Sequence, residues 1–306
     1  MQTRRIGSLE VSVVGLGCNN FGSRVDAAGT TAIVDAALEA GINFLDTADI
    51  YGRGLSEEYM APAVARRRGE IVLATKFGMF AGEQRVDARP EHVRNALDAS
   101  LRRLGPDYVD LYQLHRPDSS VPIAETLGAL DDAVKAGKVR EIGCSNFSAD
   151  QLREAETAAR PGGARFVSVQ NEYSLVHREP EDGVLAECER LGIGFIPYFP
   201  LASGLLTGKY RRGQPRPQGT RLGEQRYSPL LSDQNLEMVE RLADFAEARG
   251  RTILELAFSW LLSRPAVVSV IAGATKAEQV RSNAHAAGWE MTADELAEVD
   301  RLITPG

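Results

Sequence analysis

Long apolar runs are missing from this chain. None approaches the roughly 20 residues that span a bilayer, so no membrane helix is expected. The N-terminal stretch MQTRRIGSLEVS has no apolar core of secretory-leader length, which points to a cytoplasmic protein. Cysteine is scarce as well. Cys18, Cys144 and Cys188 are odd in number and lack paired ligand spacing, which argues against a disulfide scaffold and against a metal site. Positive charge is in deficit, with 35 basic against 42 acidic residues and a net charge of −7, so neither nucleic acid nor an anionic membrane is an expected partner. A GxGxxG turn is also absent: GLGCNNFG (15–22) has glycines at 15, 17 and 22, the wrong spacing for the phosphate turn of a doubly wound dinucleotide fold.

Lysine is rarer than arginine. Only five of the 35 basic residues are lysine, so each one asks for a specific explanation. Lys135 and Lys138 lie at the end of a predicted helix, where cations suit the macrodipole. Lys76, Lys209 and Lys276 have no such explanation.

What is present is a regular alternation of short apolar runs with amphipathic stretches. The runs at 13–17, 42–46, 71–75, 108–114, 141–145, 167–170, 194–198 and 268–272 are rich in β-branched and aromatic residues, as strands buried on both faces require. Helical patterns fill 29–40, 56–67, 90–104, 123–136, 149–159, 181–191, 253–263 and 276–287, with Gly41, Gly192 and Pro90 at helix ends. Eight such units in 306 residues predict a (β/α)₈ barrel in which residues 1–306 form one domain. Two additions are expected: an N-terminal hairpin turning at Gly7-Ser8, and a long loop at 209–224 followed by an extra helix at 233–249.

Four polar residues sit at or just past the ends of three successive predicted strands: Asp46 and Tyr51 in FLDTADIYG, Lys76 in VLATKFG and His115 in DLYQLH. Singly each has a plain explanation: a tyrosine packs, a histidine caps a barrel. Together they explain one another. An ammonium at a buried strand end needs an anion, which Asp46 supplies. An ammonium about 4 Å from a phenol contributes about 4 kcal/mol at an effective dielectric of about 20, which predicts a Tyr51 phenol held below its free pKa of about 10. The quartet suits protonation of an alkoxide as it forms, with His115 placing the carbonyl. A barrel enzyme using Lys76 as a Schiff-base nucleophile is the alternative from a different class.

Over essentially its whole length the chain resembles the aldo-keto reductases, through VVGLGCNNFG, GINFLDTADIYG, TKFG, LRRLGPDYVDLYQLH, KVREIGCSNF, SVQNEYSL, YFPLASGLLTGKY and IAGATKAEQVRSN. The resemblance implies a (β/α)₈ barrel that binds NADP(H) without a Rossmann fold and reversibly reduces an aldehyde or ketone. It makes Tyr51 the general acid of a tetrad with Asp46, Lys76 and His115. On this reading Ser145, Asn146 and Gln170 hold the nicotinamide carboxamide and Tyr198 stacks on the ring. Phe199, Pro200, Leu201, Ser203, Lys209 and Arg221 border the pyrophosphate. Gly273 begins a segment in which Thr275 and Lys276 face a 2′-phosphate while Gln279 and Asn283, on one helix face, read adenine. NADP(H) is favoured over NAD(H), although Thr275 stands where many members carry arginine. Cys18, Asn19 and Phe199 also depart from the common pattern. Asn20, Phe21, Phe77 and Tyr173 are candidate substrate-pocket residues. The resemblance also leaves open a slow, cofactor-sensing regulatory subunit like the potassium-channel β subunits.

Overall fold

The computed structural model describes residues 1–80, 82, 85–214 and 220–303. The chain opens with an antiparallel hairpin, β1 (Thr3–Ile6) and β2 (Leu9–Ser12), turning at Gly7-Ser8. Eight strands follow: β3 (Val14–Gly17), β4 (Phe44–Asp46), β5 (Val72–Phe77), β6 (Val109–Leu114), β7 (Val139–Ser145), β8 (Phe166–Glu172), β9 (Gly194–Tyr198) and β10 (Val270–Gly273). Each pairs in parallel with the next from β3 to β9, and β10 pairs with β3. Between β9 and β10 the Phe195 N–H donates to the Ala266 carbonyl at 2.7 Å, and the Val268 N–H donates to the Phe195 carbonyl at 2.9 Å. These bonds bring the edges together into the expected (β/α)₈ barrel.

The helices α1 (Ala27–Glu39), α2 (Leu55–Arg67), α3 (Pro90–Leu104), α4 (Ile123–Lys135), α5 (Ala149–Ala158) and α6 (Val184–Leu191) connect successive strands. The interval after β9 holds the extra helix α7 (Asp233–Glu247) and α8 (Ile253–Leu262); α9 (Ala277–His285) and α10 (Ala293–Ile303) follow β10. Local chemistry sets their ends. Ser148 and Thr252 form capping boxes with Gln151 and Glu255, Pro90 starts α3, and Gly192 ends α6 in the left-handed region at φ 66°. The helix expected from 181 begins only at Val184, because Gly183 sits at φ 119°, outside helical geometry. Of the 209–224 loop, residues 215–219 lie outside the described residues.

Two apolar layers follow from the strand alternation. Phe44, Val72, Ala74, Leu111, Ile196 and Ile271 form an inner cluster with Ile6, Leu9 and Val11, so the hairpin plugs one end of the barrel. The intervening residues, among them Leu45, Leu73, Phe77 and Tyr112, join the larger cluster shared with the helices. Side chains two apart on a strand share a face. Asp46, Lys76, Gln113 and Tyr198 therefore point inward two residues beyond Phe44, Ala74, Leu111 and Ile196. Every residue of β5 and β6 is buried, so the polar side chains at their C-terminal ends rest on a dry floor.

Candidate active site

At the C-terminal ends of the strands the barrel opens into a cavity of about 520 Å³. Asp46 is anchored from three sides at its base. The Lys76 ammonium donates to Asp46 Oδ2 at 2.5 Å and to the Thr47 carbonyl at 2.9 Å. The side-chain amides of Gln113 and Gln170 both donate to Asp46 Oδ1 at 3.0 Å. A charge pair this dry is tolerated only when its remaining polar atoms are satisfied in this way. The Lys76 Nζ lies 5.2 Å from the centre of the Tyr51 ring, and that ring meets His115 edge-on at 5.9 Å. Asp46, Tyr51 and His115 line the cavity, and Lys76 lies fully buried behind them.

The electrostatics correct one expectation. Burial raises the Tyr51 phenol above its ordinary value, and the Lys76 ammonium offsets this only in part. Dehydration opposes the phenolate more than one compensated ammonium favours it, because Asp46 spends much of the field of Lys76. Tyr51 is thus held as a neutral phenol, the acid form. Burial would lower the Lys76 pKa, but Asp46 and Tyr51 together raise it, so the side chain stays an ammonium and is a poor Schiff-base nucleophile. Burial, then the charges of Lys76 and Arg116, push His115 well below the usual histidine range, leaving a neutral imidazole. Its Nδ1 has no hydrogen-bond partner among the described residues.

Beside the quartet the ends of β7, β8 and β9 are cross-linked. Ser145 Oγ donates to the Gln170 carbonyl at 2.7 Å; the Asn146 amide donates to the His115 carbonyl at 2.9 Å and to Ser145 Oγ at 3.0 Å. The Tyr198 hydroxyl closes the set by donating to Asn146 Oδ1 at 2.9 Å. Asn146 at φ 62°, Phe199 at 51° and Ser203 at 57° all occupy the left-handed region, where non-glycine backbone is costly and clusters at functional sites. The cap of α5 is Ser148, so Ser145 and Asn146 are free of that duty.

The opposite side of the cavity is cationic. Phe199, Pro200, Leu201, Ser203 and Lys209 follow β9, Gly273 ends β10, and Thr275, Lys276, Gln279 and Asn283 follow it; all line the cavity. Arg221 reaches across to Asn20 Oδ1 at 2.7 Å, and Arg24 pairs with Glu224, tying the segment after 220 to the loop after β3. Gln279 Oε1 accepts from the Thr275 N–H at 2.7 Å, which fixes the turn before α9.

Three of the four candidate pocket residues belong elsewhere. Phe77 stacks on Tyr112 with ring centres 4.6 Å apart, because it follows Lys76 by one residue and so faces the helices. Tyr173 is fully buried against Phe195 and Trp260, its hydroxyl on Glu181. Phe21 is fully buried in the outer core. Asn20 alone lines the cavity. Conversely Gln113, Arg24, Arg116 and Met79 belong to the site or its rim and were not singled out from sequence. Gln113 had a readable signal: it lies two residues before His115, on the same face of its strand as the apolar Val109 and Leu111.

Asp49, two residues before Tyr51, has Oδ1 buried without a partner among the described residues. Burial and the Glu57 carboxylate push its pKa up to about 7, against opposing help from Arg103. A folded-state value above the ordinary 3.8 means the folded chain binds the proton more tightly. Stability contributed at this position is therefore present at low pH, lost as pH rises from about 4 to about 7, and constant above. Asp49→Asn is expected to raise Tm by about 2–4 °C at pH 8 and to change it little at pH 4. Calorimetry showing the same shift at both pH values would contradict this.

The whole arrangement is a parallel barrel with an acid, an amine, a phenol and an imidazole on the floor of its cavity. The Aldo/keto reductase family profile matches residues 13–304. Probable aldo-keto reductase 1 of Glycine max is 33% identical over 305 residues, covering 97% of this chain and 87% of that protein. Among solved structures, aldo-keto reductase AKR11C1 from Bacillus halodurans, in its holo form, superposes with a TM-score of 0.82 at 32% identity, covering 99% of this chain and 96% of that one. The glycerol dehydrogenase AKR11B4 from Gluconobacter oxydans superposes with a TM-score of 0.86 at 30% identity, covering 98% and 94%. The chain belongs to the aldo/keto reductase family.

Proposed function

We propose that this protein reversibly reduces an aldehyde or ketone to the alcohol with NADP(H), with Tyr51 as the proton donor and residues 1–306 acting as one unit. The observation that carries this reading is the convergence of Tyr51, His115 and the buried Lys76–Asp46 pair on one cavity floor. The cavity suits the cofactor. Gln170 Oε1 takes no part in the bonds that fix its amide nitrogen, the Tyr198 ring walls one side, and cations gather on the β9 and β10 side. Lys276, the N-cap of α9, supports NADP(H) over NAD(H); Thr275, where many members carry arginine, does not add to that preference. When bound, the nicotinamide supplies the hydride.

The chain's own groups do the rest. The neutral His115 donates a hydrogen bond to the carbonyl oxygen and sets its position. Tyr51 delivers its proton as the oxygen becomes basic, and the nearby Lys76 ammonium stabilises the phenolate left behind. Asp46 balances Lys76, and Gln113 and Gln170 keep Asp46 from turning. Reversal oxidises an alcohol, the direction in the name of one structural relative.

The test is consumption of NADPH and NADH over a panel of aldehydes and ketones. NADPH is expected to give the higher kcat/KM. Reduction should hold level from about pH 6 to about pH 9 and fall above about pH 10, because Tyr51 titrates above its ordinary value and His115 is already neutral. A profile that rises or falls through about pH 6.5 would assign the acid to another group.

A further inference from the structure

The charges lining the cavity are lopsided. Arg24, Arg116, Lys209, Arg221 and Lys276 border it, and Asp46, already paired with Lys76, is the one acid there among the described residues. Four of the five cations form a group. Arg24 is bound to Glu224, Arg221 to Asn20, Lys209 follows β9 beside Arg24, and Lys276 caps α9 after β10. Phosphates of a dinucleotide account for that group.

Arg116 stands apart. It directly follows His115 at the end of β6, which is four strands from β10 in either direction round the barrel. It is exposed to the cavity and forms no ion pair or hydrogen bond with any described residue. Its charge reaches the reacting end of the cavity, since it acts on both His115 and Tyr198. Glu172 also acts on Tyr198, but it neither lines the cavity nor pairs with Arg116. Met79 is the apolar neighbour on the same rim.

We infer that the carbonyl substrate carries an acidic group, a carboxylate or a phosphate, which Arg116 binds while the carbonyl oxygen lies between Tyr51 and His115. The inference rests on the proposed carbonyl reduction and names its substrate class. A guanidinium offers two parallel donors that match either anion, so the shared chemistry is a planar or tetrahedral oxyanion held bidentately. A substrate reaching from the Tyr51 floor past His115 meets no other cation lining the cavity on that side among the described residues.

The experiment uses matched pairs with NADPH: succinic semialdehyde against butanal for the carboxylate, and glyceraldehyde phosphate against glyceraldehyde for the phosphate. In at least one pair the acidic member is expected to show the higher kcat/KM by at least ~10-fold, chiefly through KM, with the advantage shrinking as salt rises. Arg116→Gln should shrink the acidic-to-neutral ratio by about 10- to 100-fold, and Arg116→Lys should keep part of it. A second readout does not depend on turnover: with NADP+ bound and the phosphate-binding group thus filled, succinate or inorganic phosphate, matching the preferred pair, should raise Tm in the wild-type chain and not in Arg116→Gln. Neutral aldehydes reduced as well as acidic ones, or a ratio unchanged in Arg116→Gln, would overturn the inference and leave the carbonyl reading standing. No reduction of any member while NADPH binds would overturn both.

Discussion

Tyr51→Phe is expected to lower kcat for carbonyl reduction by at least ~100-fold while leaving NADPH binding intact, on the scale of a lost general acid. The substitution removes one oxygen and nothing else. The ring keeps its edge-on contact with His115 and its place over Lys76, so the floor of the cavity holds its shape. Lys76 keeps both of its acceptors, Asp46 Oδ2 and the Thr47 carbonyl, so no buried charge is stranded. The defect should therefore appear in kcat, with cofactor fluorescence quenching unchanged. Turnover at the wild-type rate would remove Tyr51 from the role of acid.

Lys76→Met should be worse in a second way. It costs activity by at least ~100-fold, because the phenolate loses its ammonium. It also leaves Asp46, 2% exposed, as an uncompensated charge with only two amides for support. Breaking a buried pair from one side is expected to cost about 3–5 kcal/mol of stability. A Tm lower by about 5–10 °C should follow. The double variant Asp46→Asn/Lys76→Met separates the two effects: stability should largely return, while turnover should not. Recovery of both in the double variant would mean that Lys76 acts through folding alone.

The barrel was readable because each strand is a short apolar run, most of them closed by a polar residue. Asp46, Lys76 and His115 mark where buried strands reach the rim, and the two-residue alternation aims the first two inward. The same alternation, applied one residue further, would have turned Phe77 away from the pocket. For Phe21 and Tyr173 the sequence carries apolar character but no direction, since their surroundings come from distant segments such as Trp260. The Tyr51 pKa direction was missed for a physical reason: counting a nearby ammonium ignores the dehydration it must overcome, and that depends on packing. Arg24 and Glu224 meet across 200 positions, and the left-handed backbone at Phe199 runs against residue preference. Gln113 was visible in the pattern and went unread, because a glutamine inside an apolar strand looks like an exception until Asp46 is placed beside it.

The central claim is direct hydride delivery to a carbonyl carbon whose oxygen takes its proton from Tyr51. It is tested by supplying NADPH dideuterated at nicotinamide C4 with any carbonyl compound the protein turns over, and by analysing the alcohol by mass spectrometry and NMR. One deuterium bound to the carbinol carbon is the predicted result, in the wild-type product and in the residual product of Tyr51→Phe. A product without deuterium on that carbon, or borohydride trapping of the substrate on Lys76, would contradict it.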